Sequence, residues 1–275
     1  TSPLHMGAGQ AVGAIDNPIQ REVHTDHPLI AGSGIKGALR HHLGHMWSDD
    51  DSLVRRIFGP DTNNAAEHAG AIAFTDAAIV AFPVRCAKRA YIHATCPTAL
   101  ARLARTAAAA KLGCDWAVPQ VRDDQALLAD SAAASDQRLL LEVFDFRAEV
   151  ASSVTAIAKW IAELALPADE AHKFFKDKLQ HDLVVLSDAA FGHFARHATV
   201  VEPHVRIDEE KGTAAEGGLF YTENLPPETL LAGLALASAE RSGRREGALQ
   251  ATDVLDKVFE AIDGALVQCG GDATT

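Results

Sequence analysis

The sequence has little of several things. Aromatic residues fill only 6% of its 275 positions, and there are four cysteines and two methionines. Cys86, Cys96, Cys114 and Cys269 form no CxxC pair. Few and scattered, they fit a reducing cytoplasm, where the chain is expected, better than a disulfide framework. No apolar run approaches the roughly 18 residues a membrane helix needs. The longest runs, Ala71–Val84 and Leu230–Ala239, are short or broken by Thr75, Asp76 and Pro83, so no membrane partner is expected. The first residues, TSPLHMGAG, lack a basic stretch followed by an apolar one, which argues against a secretory signal. They also lack an initiator Met, and upstream residues are expected. An excess of positive charge is missing too, since the formal net charge is −12.

What is present is an ordinary globular balance, 48% hydrophobic and 23% charged, in a chain long enough for one large domain or two small ones. The charge is unevenly spread. Residues 27–48 hold Lys36, Arg40 and four histidines without an acid. Residues 77–114 hold Arg85, Lys88, Arg89, Arg102, Arg105 and Lys111, again without an acid. These tracts carry +8 and leave −20 on the remainder. A polyanion senses the field within about 8 Å at physiological salt, so phosphate binding on one face stays open despite the acidic total.

Residues 1–34 read as loops with short extended pieces. Helices are predicted over Ile35–Trp47, Ser52–Phe58, Pro97–Leu112, Ser152–Ala165, Ala168–Leu179 and a C-terminal segment capped by Thr252. Leu183–Leu186 reads as a short buried strand leading into a helix through Phe194. Thr199–Ile207 and Gly218–Thr222 flank a polar tip and predict a long β-hairpin. Residues 113–138, acidic and without period, predict a surface insertion, and 139–150 an extended run. Short strands interleaved with helices point to an α+β fold with antiparallel sheet rather than a doubly wound parallel one.

Gly32-Ser33-Gly34-Ile35-Lys36-Gly37 matches GxGxxG. The dinucleotide reading requires a buried strand just before it, yet Pro28 and polar neighbours leave only three apolar residues there. A second reading keeps the physics and drops the cofactor. A glycine turn feeding a helix N-terminus presents N–H groups and a positive dipole end to an anion. Lys36 and Arg40, four apart, add two cations on one face. A plain helix cap explains the glycines equally well. The pairs His41/His45 and His193/His197 have zinc-like spacing but neither HExxH form nor an evident third ligand. Asp16, before an Asn-Pro turn in GAIDNPI, can serve as general acid or base, as ligand for a hard cation, or simply as a turn former. His5, Arg21 and His24 lie close in sequence and can complete a site.

The run GAGQAVGAIDNPIQREVHTDHPLIAGSGIKGALR resembles the N-terminal signature of RAMP proteins of type III CRISPR effectors. Within them it resembles the backbone subunit of the type III-B Cmr complex. IFGP at 57–60, AGAIAFTDA at 69–77, FPVR at 82–85, HATCPTAL at 93–100, VVLSDAAF at 184–191, VRID at 205–208 and GGLFYTENLPPE at 217–228 continue the pattern. GGDATT at the C-terminus is similar to the start of the family's glycine-rich loop, so further residues are expected there as well.

The resemblance implies one domain over 1–275: a modified RRM or ferredoxin-like palm, with helical insertions at 113–180 and a β-hairpin thumb near 199–224. It implies head-to-tail copies stacked along a guide crRNA beside other Cmr subunits, in antiviral defence. It also implies cutting of target RNA at regular intervals with Mg²⁺ or Mn²⁺. On this pattern Asp16 aligns with the family's catalytic aspartate and possible metal ligand, and His5 with a histidine near the cleavage site. Ser33 and Lys36 align with guide-phosphate contacts, followed by Arg40. Gly34 replaces a second serine of the family's GSSLKG turn, trading a hydroxyl for a more exposed backbone N–H. Arg21 and His24 are expected on RNA, and Tyr221 and Glu223 beside the cleavage site. Two other classes remain open: a guide-binding scaffold that does not cut, and an oxidoreductase using Gly32–Gly37.

Overall fold

The computed structural model describes residues 2–270 except Val12, Ala65, Glu209 and Arg245. The glycine-rich end expected at GGDATT falls mostly outside these residues. In chain order the elements are β1 (Leu29–Ile30), α1 (Gly32–Met46), α2 (Asp51–Phe58), β2 (Ile72–Phe74), β3 (Ala77–Arg85), β4 (Tyr91–Thr95), α3 (Pro97–Ala109), β5 (Gln125–Leu128), β6 (Arg138–Leu141), β7 (Phe144–Val150), α4 (Ser152–Ala165), α5 (Glu170–Asp182), β8 (Leu183–Val185), α6 (Asp188–His197), β9 (Val200–Ile207), β10 (Ala214–Asn224), β11 (Leu230–Ala232), β12 (Ala235–Ala237) and α7 (Ala251–Ile262). They form two compact units. One runs to Leu29 and resumes over Ala78–Ala232, and the other covers Ile30–Ala77 and resumes at Gly233.

The first unit is built on a sheet of strand order β1-β3-β4-β8-β5-β7-β6, with β11 also paired to β3. The class is α+β as expected, but the sheet is mixed. β4–β8 and β5–β7 run parallel while the β3–β4, β5–β8 and β6–β7 pairs are antiparallel. Successive strand residues point to opposite faces, and both faces are covered. Val184, Leu186, Leu128, Phe191 and Phe194 pack in one core. Leu183, Val185 and Leu127 pack in another with Val154, Ile157 and Ile161 of α4. A strand buried on both sides reads as a plain apolar run. That is why Gln125–Leu128, inside the segment predicted as an insertion, shows no alternation and is nevertheless an internal strand of the sheet.

The predicted hairpin is present as β9–β10. Six consecutive pairs run from Leu219↔Val205 to Asn224↔Val200, beyond which the register breaks between Ala214 and Leu219.

The second unit packs α1, α2 and α7 around β2 and β12 through Leu39, Leu43, Ile57, Phe58, Ile72, Val254 and Val258. Here α7 is capped by Gln250 rather than Thr252. Gln250 and Asp253 form a reciprocal capping box, which places the cap two residues earlier than predicted.

Candidate functional site

In the first unit the N-terminal segment is stitched to the base of the β9–β10 hairpin. Leu4 and Leu225 exchange backbone hydrogen bonds of 2.9 and 2.8 Å. The Asn17 N–H donates to the Tyr221 carbonyl at 3.0 Å, and the Glu223 N–H donates to the Asn17 carbonyl at 2.9 Å. Ile19 and Leu225 sink into the sheet core and clamp both strands of this seam.

The seam fixes two chemically competent groups. Asp16 is exposed, and its Oδ2 accepts from the Tyr221 N–H at 2.8 Å. The Nδ1 of His5 lies 2.7 Å from the Glu223 carbonyl oxygen. A carbonyl only accepts, so Nδ1 carries the proton and Nε2 is the lone-pair nitrogen of the neutral ring. His5, Gly7, Asp16, Asn17 and Pro18 line one open pocket of about 310 Å³. A Cβ on Gly7 would stand 3.1 Å from His5 Nε2, so glycine keeps that nitrogen uncrowded.

Beneath the seam lies Glu223, 2% exposed. Its carboxylate accepts from Arg21 Nη2 at 2.5 Å, from the Thr199 hydroxyl at 2.8 Å and from the Ile19 N–H at 3.1 Å. A buried ion pair is tolerated when its remaining polar atoms are also satisfied. Arg21 further donates to the carbonyls of Asp26 at 2.8 Å and Ala195 at 3.0 Å. Arg21, expected on RNA, is thus an internal brace, because its fork meets a buried carboxylate and chain carbonyls first. His24 Nε2 sits 3.0 Å from Arg102 Nη2, and Arg102 holds both oxygens of Glu22 at 2.9 and 2.7 Å. At Tyr221 the anchoring atoms are those of the backbone.

Among the described residues no three His, Cys, Asp or Glu side chains converge to hold a metal ion. Asp16 also has one oxygen engaged by Tyr221. A resident all-protein divalent site therefore does not fit this donor set.

The glycine turn lies in the second unit. α1 begins at Gly32, earlier than predicted, so Ser33 and Gly34 belong to its first turn. The Gly32 N–H donates to Asp76 Oδ1 at 2.8 Å. The Gly34 N–H, expected to be more exposed, donates to the Ala31 carbonyl at 2.9 Å, because the helix's first turn closes on it. A Cβ at Gly32 would fall 2.2 Å from the Phe74 carbonyl oxygen, so only glycine allows this approach. Arg40 departs from expectation as well. Its guanidinium donates to the Gly59 carbonyl at 2.7 Å and to Asp61 at 2.8 Å, capping α2 and the turn after it.

Lys36 is different. It is half-buried and has no hydrogen-bond or ion-pair partner among the described residues. Burial, and then the charge of Arg40, lower its pKa. A cation desolvated without a counter-ion is stabilised by an incoming anion. Ser33, exposed in the first turn, stands three residues before it. The preceding strand β1 is two residues long and ends the strand order, which leaves the dinucleotide reading without its central parallel strand.

Sequence reasoning missed Glu223 as a hub, Asp76 as the cap of Gly32 and Asp61 as the partner of Arg40. Asp76 signalled itself only by interrupting an apolar run, Glu223 stood out only through the family motif and as a group beside the cleavage site, and Asp61 gave no local signal.

These features define a two-sided, mixed-sheet α+β protein with a hairpin and a glycine turn. The model of the RAMP superfamily matches residues 1–274, and the chain belongs to that superfamily. The CRISPR system Cmr endoribonuclease Cmr4 of Pyrococcus furiosus is 32% identical over 99% of this chain and 89% of its own. The crystal structure of oligomeric Cmr4 from Pyrococcus furiosus matches with a TM-score of 0.74 at 25% identity, covering 100% of this chain and 90% of that one. A chain of the type III-B Cmr-beta complex bound to cognate target RNA has the same fold, with a TM-score of 0.69 at 20% identity over 99% and 90% of the two chains.

Proposed function

We propose that this chain is the backbone endoribonuclease subunit of a Cmr-type CRISPR ribonucleoprotein. Both units act as one RAMP domain. Copies stack head to tail along a guide crRNA with other Cmr subunits, and each copy cuts the paired target RNA once. The β9–β10 hairpin is the thumb that bends the target strand. The guide is gripped through phosphate without reading of bases, by Lys36 with the hydroxyl and N–H of Ser33.

The observation that carries the cutting assignment is the pocket shared by His5 and Asp16, each oriented by a backbone bond from β10. Asp16 takes the proton of a target 2′-hydroxyl. The freed oxygen attacks the adjacent phosphorus, and the bond from phosphorus to the next nucleotide's 5′ oxygen breaks. The leaving oxygen takes its proton from Nε2 of the His5 imidazolium, the form that carries a second proton there in addition to the one at Nδ1. The products are a 2′,3′-cyclic phosphate and a 5′-hydroxyl. In-line alignment of a splayed strand supplies much of the rate. Mg²⁺ or Mn²⁺ is assigned no protein site of its own; a hard cation at Asp16 would draw its other oxygens from RNA phosphates.

The test is a reconstituted complex given end-labelled complementary RNA. A ladder of evenly spaced products is expected, ending in cyclic phosphate. Protection of the target without a ladder would leave the chain a scaffold.

A further inference from the structure

A second pocket in the first unit, of about 570 Å³, shares no lining residue with the cleavage pocket. Its volume is in the range of ligand sites, about 300–1,000 Å³. Three observations mark it as built for an occupant. His27 is 5% exposed, and its Nδ1 is buried without a hydrogen-bond partner, a rarity in native interiors. Burial lowers its pKa and keeps the ring neutral, held edge-on to Phe191 at 5.1 Å. Gly192 sits in the middle of α6, where alanine is the better helix former. A Cβ there would stand at an ordinary 3.7 Å from His27 Nε2, so neither strain nor crowding demands glycine. Its effect is to leave the floor open. Arg196 also lines the pocket. Its Nε pairs with Asp26 at 3.1 Å, and about half of the side chain stays exposed. Asp188, the one carboxylate in the lining, accepts from the N–H and the hydroxyl of Thr98, one on each oxygen and both at 2.9 Å.

The pocket thus offers a cation at its opening and a neutral, two-way hydrogen-bonding ring over a smooth floor. We propose that it binds one nucleotide unit of an RNA strand, with Arg196 on the phosphate and His27 bonded to the sugar or base lodged over Gly192. This rests on the RNA-binding function above and adds to it a site separate from Asp16 and Lys36.

The test uses the full chain freed of RNA, with imidazole resonances followed by NMR while each of the four nucleoside monophosphates is titrated. Saturable shifts of His27 and His193 are expected at millimolar ligand. Arg196→Gln should weaken them about tenfold, and Gly192→Leu should abolish them while guide RNA binding is unchanged. Gly192→Ala, which adds one methyl group and favours the helix, should weaken them several-fold and serves if the leucine variant does not fold. Resonances unmoved by all four nucleotides would overturn the proposal. So would undiminished binding in the glycine variants, or inorganic phosphate reproducing the full shift. Assembled complexes that still cut target RNA while the pocket stays empty would sink this inference and leave the function standing.

Discussion

The seam around Asp16 and the turn around Lys36 use their polar groups in opposite ways. At the seam, internal bonds go to backbone atoms and to Glu223, and they leave the side chains of His5 and Asp16 lining one open pocket. At the turn, most of what looks available is already engaged. Gly32 and Gly34 donate internally and Arg40 grips Gly59 and Asp61, while among the described residues the side chains of Ser33 and Lys36 are left without a partner. Counting cations therefore overstates an anion site, whereas an isolated carboxylate in sequence gives no hint of the backbone bond that orients it. What decides is which groups the fold leaves unsatisfied.

The largest break in this comparison is expected from Asp16→Asn. Target cutting should fall by about a thousandfold or more, as for loss of a general base combined with its positioning, with guide RNA still co-purifying. A retained ladder of cleavage products would remove Asp16 from the chemistry.

Next comes the brace. Arg21→Ala leaves the Glu223 carboxylate buried and uncompensated, which costs about 3–5 kcal/mol, read as a lowered urea midpoint. A shift in guide-RNA salt dependence with no loss of stability would instead return Arg21 to the RNA.

Acid separates the two regions further. His93 on β4 is 4% exposed, and burial, then the charge of Lys178, push its pKa down to about 4. The unfolded chain, near 6.5, takes the proton first. Stability is thus full above about pH 6.5 and falls as pH drops toward 4, by about 3 kcal/mol in all. His93→Gln should flatten that loss. Trp116 and Trp160 report on this unit and Trp47 on the other, so fluorescence of single-tryptophan variants follows each separately.

The smallest effect sharpens the comparison most. Lys36→Ala should weaken guide binding about tenfold and reduce the salt slope by about 1. Arg40→Ala should lower thermal stability with the slope unchanged. If both variants flatten the slope equally, the division between engaged and free cations is wrong.

The helices and the hairpin were legible because their periods and turn residues are local. α3 starts at the predicted Pro97, and β9 begins one residue past Thr199. Asp16 was singled out by the family resemblance and Lys36 by the glycine turn, and the structure leaves the first exposed and the second without a partner among the described residues. The fates of Arg21 and Arg40 were not, since their partners lie up to 202 residues away for Glu223 and 21 for Asp61, and no window of sequence reports such pairing. The strand β5 was lost for a related reason, because burial on both faces erases the alternation that betrays a strand.

The register break in β10 has a bearing on how this protein could be remodelled. Six uninterrupted pairs separate the irregular outer arm from the end that holds Tyr221 and Glu223. Loops of other lengths and compositions can be grafted past Leu219 without transmitting a shift to those anchors. The reach of the arm is therefore a variable that selection, or an engineer, can change independently of the backbone bonds at its root.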